Sequence, residues 1–152
     1  MSADHITDLP RSFLGYNEIL VVVDLFTRYT YLIAAKKNDT ASKTYQRLED
    51  RLILQGGLPL TILTDNGTRF KGDFHNQLTK CGIAHWTTSI YRAKSNGANE
   101  RMNGLIKESI RSHGAFIEEN WHQYLPSTEF FINSRTHSAL AISPIELKIS
   151  LW

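Results

Sequence analysis

An α/β fold with a five-stranded mixed sheet flanked by helices is predicted by three features of the 152-residue chain. Ile19 to Asp24 and Tyr29 to Ala34 are apolar, β-branched runs joined by a short turn around Thr27-Arg28, the pattern of an antiparallel meander. A helical pattern then leads into the short buried-strand run Thr61-Ile62-Leu63-Thr64, which is the signature of a crossover unit. The crossover sets that run parallel to a first strand at the amino terminus.

The first strand is Ala-Asp-His-Ile-Thr, Ala3 to Thr7, and Leu9 to Gly15 is a connecting loop with a glycine turn. After the meander, Asp39 or Thr40 caps a helix with Ala41, Tyr45, Leu48 and Leu52 on one side, and Gly56-Gly57 ends it. Thr61 to Thr64 stops at the turn residues Asp65-Asn66-Gly67. Phe74, Leu78 and Cys81 give a short helix closed by Gly82, and Ile83 to Thr87 is the last strand.

A polar loop from Ser89 to Asn99 precedes a long helix in which Met102, Leu105, Ile106 and Ile110 form one apolar face, with Ser109 in the remaining place. Asn120 to Arg135 reads as a further helix, interrupted near Pro126, with Trp121, Tyr124, Leu125 and Phe131 as core candidates. Ser143-Pro144-Ile145-Glu146 is a capping box that announces a short terminal helix.

The length fits one compact domain with a real core. A net charge of +2 says little about partners, but Arg92, Lys94, Arg101, Lys107 and Arg111 outnumber Glu100 and Glu108 within one stretch. That local excess of positive charge suits a phosphate backbone. The single cysteine, Cys81, excludes an internal disulfide and a CxxC zinc site, and its place at a helix end suggests a buried thiol. No HxxxH or HExxH spacing joins the six histidines, and none is assigned to a metal. With no secretory leader pattern and no apolar run long enough to span a bilayer, an intracellular protein without a membrane partner is expected.

Two carboxylates stand out by position. Asp65 ends a buried strand, where ligands of open α/β sheets gather, although an Asx-turn role alone also explains it. Glu100 shares one helical face with Asn103, Lys107 and Arg111, a polar stripe that could equally be a solvated surface.

The phrases TDNGTRF, SNGANERMN and NSRTHSALAISPIEL resemble the catalytic core of retroviral and LTR-retrotransposon integrases, especially the gypsy-like branch, and the likeness runs nearly end to end. The resemblance implies a ribonuclease H-like fold and an acidic triad of Asp4, Asp65 and Glu100, with Asp4 in the ADHITDLP phrase preferred over Asp24 of VVVDLFTRY. It further implies two Mg²⁺ or Mn²⁺ ions held by those three carboxylates, about 4 Å apart. Tyr91, Lys94, Asn96, Asn103, Lys107 and Arg111 are then the expected DNA contacts, positioning the backbone rather than reading sequence. Asn66 matches a family asparagine beside the metal site.

The activity so implied is 3′-end processing and strand transfer of element DNA into target DNA, by a nuclear enzyme working as a homodimer or higher multimer. One domain, residues 1–152, is expected to be the catalytic core, without the family's amino-terminal zinc module and carboxyl-terminal DNA-binding domain. The chain departs from the family in having Ala93-Lys94 where Pro-Gln is usual. A relic integrase acting as a DNA-binding or protein-interaction module is the alternative from another class, and a DDE transposase or a ribonuclease H is the alternative among enzymes.

Overall fold

The computed structural model describes residues 1–54, 57–88, 93–112 and 119–151, the stretch 93–100 by its backbone alone. Five strands form one sheet: β1 (Ser2–Ile6), β2 (Glu18–Val23), β3 (Thr30–Ala35), β4 (Thr61–Thr64) and β5 (Ala84–Thr87), in the order β3-β2-β1-β4-β5. The β1–β2 and β2–β3 pairs are antiparallel, whereas β1–β4 and β4–β5 are parallel, so the predicted mixed sheet and crossover are found. The joint between the two halves is short. It consists of Ser2 opposite Leu63 and Ala3 opposite Thr64, extended by the Met1 carbonyl, which accepts the Leu63 N–H at 2.9 Å.

Period-two alternation sends successive side chains to opposite faces of this sheet. One face carries Ala3, Leu20, Val22 and Ile62, buried under Tyr45, Leu48, Phe74 and Leu78 of α1 (Ala41–Leu48) and α2 (Asp73–Lys80). The other carries Ile6, Ile19, Val21 and Leu32 against Ile106 and Ile110 of α3 (Ala93–Ser112) and Leu125 and Ile132 of α4 (Leu125–Ser134). The result is three layers, helix on sheet on helix.

The helix boundaries follow local chemistry. Thr40 caps α1, its Oγ1 accepting the Lys43 N–H at 3.1 Å, while Asp39 instead binds Arg47 at 2.6 Å. Beyond Leu48 the chain widens into a π-helical turn, Glu49–Ile53, which brings Leu52 into the same core. Gly82 closes α2 at φ 75°, in the left-handed region that glycine enters without strain, and the Ile83 N–H returns to the Leu78 carbonyl at 2.9 Å. Ser143 and Glu146 form the expected capping box at the start of α5 (Pro144–Ser150).

Three expectations are corrected. The loop placed at Ser89 to Asn99 is helical from Ala93 onward, where α3 begins, while residues 89–92 lie outside the described residues. Once Ile106 and Ile110 fix the helix against the sheet, adding turns at its start costs only propagation, which Ala93 and Ala98 favour. Pro126 does not interrupt a helix. It lies in the first turn of α4, where its missing N–H has no partner to lose, and a 3₁₀ turn, Trp121–Tyr124, precedes it. Phe131 is 48% exposed, and the inward positions of α4 are Leu125, Thr128, Glu129, Ile132 and Asn133.

Those polar inward residues cover an edge. β3 is an outer strand whose free N–H and C=O groups face α4: Asn133 binds Thr30, and Glu129 accepts the Leu32 N–H at 2.9 Å and an Arg51 N–H at 2.6 Å. An edge so occupied cannot pair with another strand.

Candidate active site

Asp4 and Asp65 each stand one residue beyond the paired Ala3 and Thr64 of β1 and β4. By alternation both lie on the α3 face of the sheet, and they line one cleft of about 500 Å³ together with Leu63, Arg28, Thr88 and Asn103. Asp65 is exposed and its Oδ1 accepts the Gly67 N–H at 2.8 Å, an Asx turn that fixes the carboxylate. A Cβ on residue 67 would stand 2.8 Å from that same oxygen, so glycine is required for the turn to close on Asp65.

Asp4 is half-buried, and its Oδ1 accepts the N–H of His5 at 2.8 Å. Burial raises its proton affinity above the ordinary carboxylate value; the His5 N–H opposes this, and the weaker influences of the Asp65 charge, which raises it, and the Arg69 cation, which lowers it, follow. His5 packs on Phe70 with ring centroids 5.1 Å apart, and burial together with the nearby Arg69 lowers its pKa to about 3. It is therefore a neutral neighbour of Asp4 at physiological pH. Arg69 itself is anchored by an ion pair to Glu18, which is 2% exposed.

Asp24 has another task. Its Oδ1 accepts the Phe26 N–H at 3.0 Å and its Oδ2 the Thr27 hydroxyl at 2.8 Å, closing the β2–β3 turn. Both carboxylate oxygens are engaged locally.

Asn103 lines the cleft from α3, and Glu100 lies on the same helix three residues earlier. The side chains of Glu100, Lys94 and Asn96 lie outside the described residues, as does all of Tyr91. Lys107 and Arg111 line a shallow surface groove of about 540 Å³ farther along α3, with Gly104, Glu108 and Ser112. Asn66 is exposed beside Asp65.

Among the described residues no three His, Cys, Asp or Glu side chains converge on one point. The two aspartates nonetheless suit a hard cation. The donors facing the cleft are carboxylate, hydroxyl and amide oxygens, and a dication there would favour the ionised form of Asp4, which burial chiefly and the Asp65 charge secondarily disfavour. Two lining residues were not anticipated, Arg28 and Thr88. The hairpin register, with Val23 opposite Ser2, carries the turn that holds Arg28 past the cleft, a relation that no motif announces.

Residues 6–93 match the family model described as "Integrase core domain". The chain belongs to the integrase core domain family. It is 29% identical over 148 residues to the Transposon Tf2-3 and Tf2-4 polyproteins of Schizosaccharomyces pombe, a match that covers 97% of this chain and 11% of each polyprotein. The chain thus spans about a ninth of the length of these curated relatives.

Among solved structures, the magnesium complex of the HTLV-2 integrase catalytic core in its trimeric form superposes with a TM-score of 0.72 at 23% identity, covering 95% of this chain and 92% of that one. The bovine immunodeficiency virus (BIV) integrase core gives 0.74 at 18% identity, covering 99% and 93%. A chain of the simian T-cell lymphotropic virus intasome in complex with PP2A regulatory subunit B56 gamma gives 0.78 at 24%, covering 96% and 52%. The integrase core shares the ribonuclease H-like architecture expected from the sequence. No helix among the described residues is long and apolar enough to cross a membrane.

Proposed function

We propose that the chain is the catalytic core of an LTR-retrotransposon integrase, a DDE polynucleotidyl transferase that carries out 3′-end processing and strand transfer of element DNA. The observation that carries this reading is the meeting of Asp4 and Asp65 in one cleft, across two parallel strands and beneath the helix that holds Glu100.

In this reading Asp4, Asp65 and Glu100 hold two Mg²⁺ or Mn²⁺ ions. The ions supply activation of the attacking oxygen and neutralisation of charge on the phosphate and leaving oxygen. The chain's own residues position the parts. Gly67 orients the Asp65 carboxylate through its N–H, and His5 does the same for Asp4. Arg28 at the cleft, and Lys107 and Arg111 along α3, offer cations to the DNA backbone, where Tyr91, Lys94, Asn96 and Asn103 would add contacts. DNA ends and target DNA are the partners, residues 1–152 act as one core domain, and the multimer is a dimer or larger, working in the nucleus. HTLV-2 integrase cores in dimeric and trimeric forms accord with a multimer.

The test is strand transfer, or its reversal on branched DNA, with Mg²⁺ or Mn²⁺. Glu100→Gln and Asp65→Asn should each reduce the product at least about a hundredfold with the fold retained. Equal activity in wild type and Glu100→Gln would overturn the reading. One observation favours the other reading, a relic that binds DNA or protein without catalysis: the phrase Ser95-Asn96-Gly97, expected within the polar loop before Glu100, is helical. Mg²⁺ affinity indifferent to Asp4→Asn, Asp65→Asn and Glu100→Gln would select that relic.

A further inference from the structure

On the sheet face opposite the carboxylate cleft, two histidines meet. His75 of α2 is exposed and His85 of β5 is half-buried against Phe74, and their Nδ1 atoms stand 3.1 Å apart. We propose that His75 and His85 form a two-imidazole site for a borderline divalent transition-metal cation of the Zn²⁺ class, separate from any ion held by the carboxylates.

The geometry is the first argument. Imidazole nitrogens bind Zn²⁺ at about 2.0–2.1 Å, so two of them on one ion lie about 2.8–3.4 Å apart for ligand angles between a right angle and the tetrahedral value. The observed Nδ1 separation falls within that span, so the rings need only turn for their lone pairs to converge.

The hydrogen bonds around His85 are the second argument. The Thr64 hydroxyl has one proton, which it gives to the Asp65 carbonyl at 2.8 Å, since a carbonyl can only accept. The 2.9 Å contact between Thr64 Oγ1 and His85 Nε2 is therefore a donation from Nε2–H. That tautomer leaves the His85 Nδ1 lone pair free to face His75. It is also the arrangement found around metal-bound histidines, where the remote ring N–H is held by a neighbouring acceptor that orients the ring.

Without metal, His75 Nδ1–H donates to His85 Nδ1. Metal binding requires that the His75 proton move from Nδ1 to Nε2, so exchange between the two neutral rings releases no proton. Burial, and secondarily the presence of His75, lowers the pKa of His85, which keeps its ring neutral and able to ligate. The remaining coordination positions fall to water, because His75 is on the surface. Nitrogen donors favour a borderline cation over Mg²⁺, so the two faces of the sheet divide by ligand chemistry.

The test is calorimetric titration of Zn²⁺ into the whole chain under saturating Mg²⁺, in a weakly coordinating buffer. Wild type should bind one equivalent at this site. His75→Gln, a surface change that leaves the fold alone, should weaken that binding at least about tenfold. Thr64→Val should weaken it by about tenfold through loss of the ring anchor. In ¹⁵N spectra of the imidazoles, Zn²⁺ should move the Nδ1 signals of His75 and His85 and the His75 Nε2 signal, which gains the proton, and spare the His85 Nε2 signal. Zn²⁺ affinity equal in wild type and His75→Gln, or a spectrum in which neither Nδ1 moves, would overturn the proposal.

Discussion

Asn133 grips Thr30 from both sides of one amide: its Oδ1 accepts the Thr30 N–H at 2.8 Å and its Nδ2 donates to the Thr30 carbonyl at 2.8 Å. The same Nδ2 also reaches the Glu129 carbonyl at 2.9 Å. One fully buried side chain thus substitutes for a missing neighbouring strand. Replacing Asn133 by alanine should cost about 2–3 kcal/mol, because two buried backbone groups lose their partners. Urea unfolding checks this, and a midpoint equal to wild type would contradict it.

Arg69 and Glu18 form a second buried relationship, with the carboxylate 2% exposed. Removing the cation strands a charge in the protein interior. Arg69→Ala should therefore destabilise the fold by about 3–5 kcal/mol, and Glu18→Gln introduced with it should recover part of the loss. Unfolding of the two variants side by side decides the point.

Gly67→Ala should separate site geometry from stability. The added methyl meets the Asp65 Oδ1, the movable end of a side chain, so the carboxylate shifts rather than the fold. Metal-dependent turnover should fall roughly tenfold to a hundredfold. Thermal unfolding should stay within about 2 °C of wild type, as for a change below 1 kcal/mol.

Asp4 gives a pH signature. Its proton affinity is raised in the folded chain, so folding favours the protonated form, and that contribution fades as pH climbs through the folded pKa. At neutral pH the ionised group opposes folding. Asp4→Asn should therefore melt higher than wild type at pH 7, by about 2 °C, with the difference closing below the ordinary carboxylate range near pH 4.

Asp39 gives the opposite signature. Burial alone would raise its pKa, but hydrogen bonds from the Arg47 guanidinium and the Lys36 N–H, with the Arg47 charge, outweigh it and hold the carboxyl below the usual range. Its contribution is present above the unfolded pKa and disappears as pH falls through the folded one. Asp39→Asn should lower the melting temperature at pH 7, and acid should abolish the gap to wild type.

Which parts of this were legible in the sequence depends on whether the signal is local. β2, β3 and β4 are short runs rich in branched and aromatic side chains, so their existence was visible before their pairing. Asp65 was marked by its own turn, Asp65-Asn66-Gly67. The start of α3 was misplaced because Ser95, Asn96 and Gly97 favour loops, while the packing of Ile106 and Ile110 two turns or more later decides the helix. Glu129 and Asn133 were invisible as interior groups, since polar residues on an apparent helix read as solvent-facing. Only the position of the β3 edge makes them interior. His75 and His85 meet because α2 turns the chain back between them, and their spacing matches no motif.

The joint between β1 and β4 has a consequence for the order of events during synthesis. Sixty residues lie between Asp4 and Asp65, and their strands meet through two paired positions and through Met1, whose carbonyl accepts the Leu63 N–H and whose amino group donates to the Thr61 carbonyl. β1 can pair with β2 early, as a nearby partner, but closing the longer loop has to wait until β4 exists. A nascent chain therefore carries Asp4 as a lone surface acid, with no cleft around it, until the ribosome has released the segment that ends in Asp65. On the proposed function, the two carboxylates could share divalent ions once β4 has joined the sheet and not before.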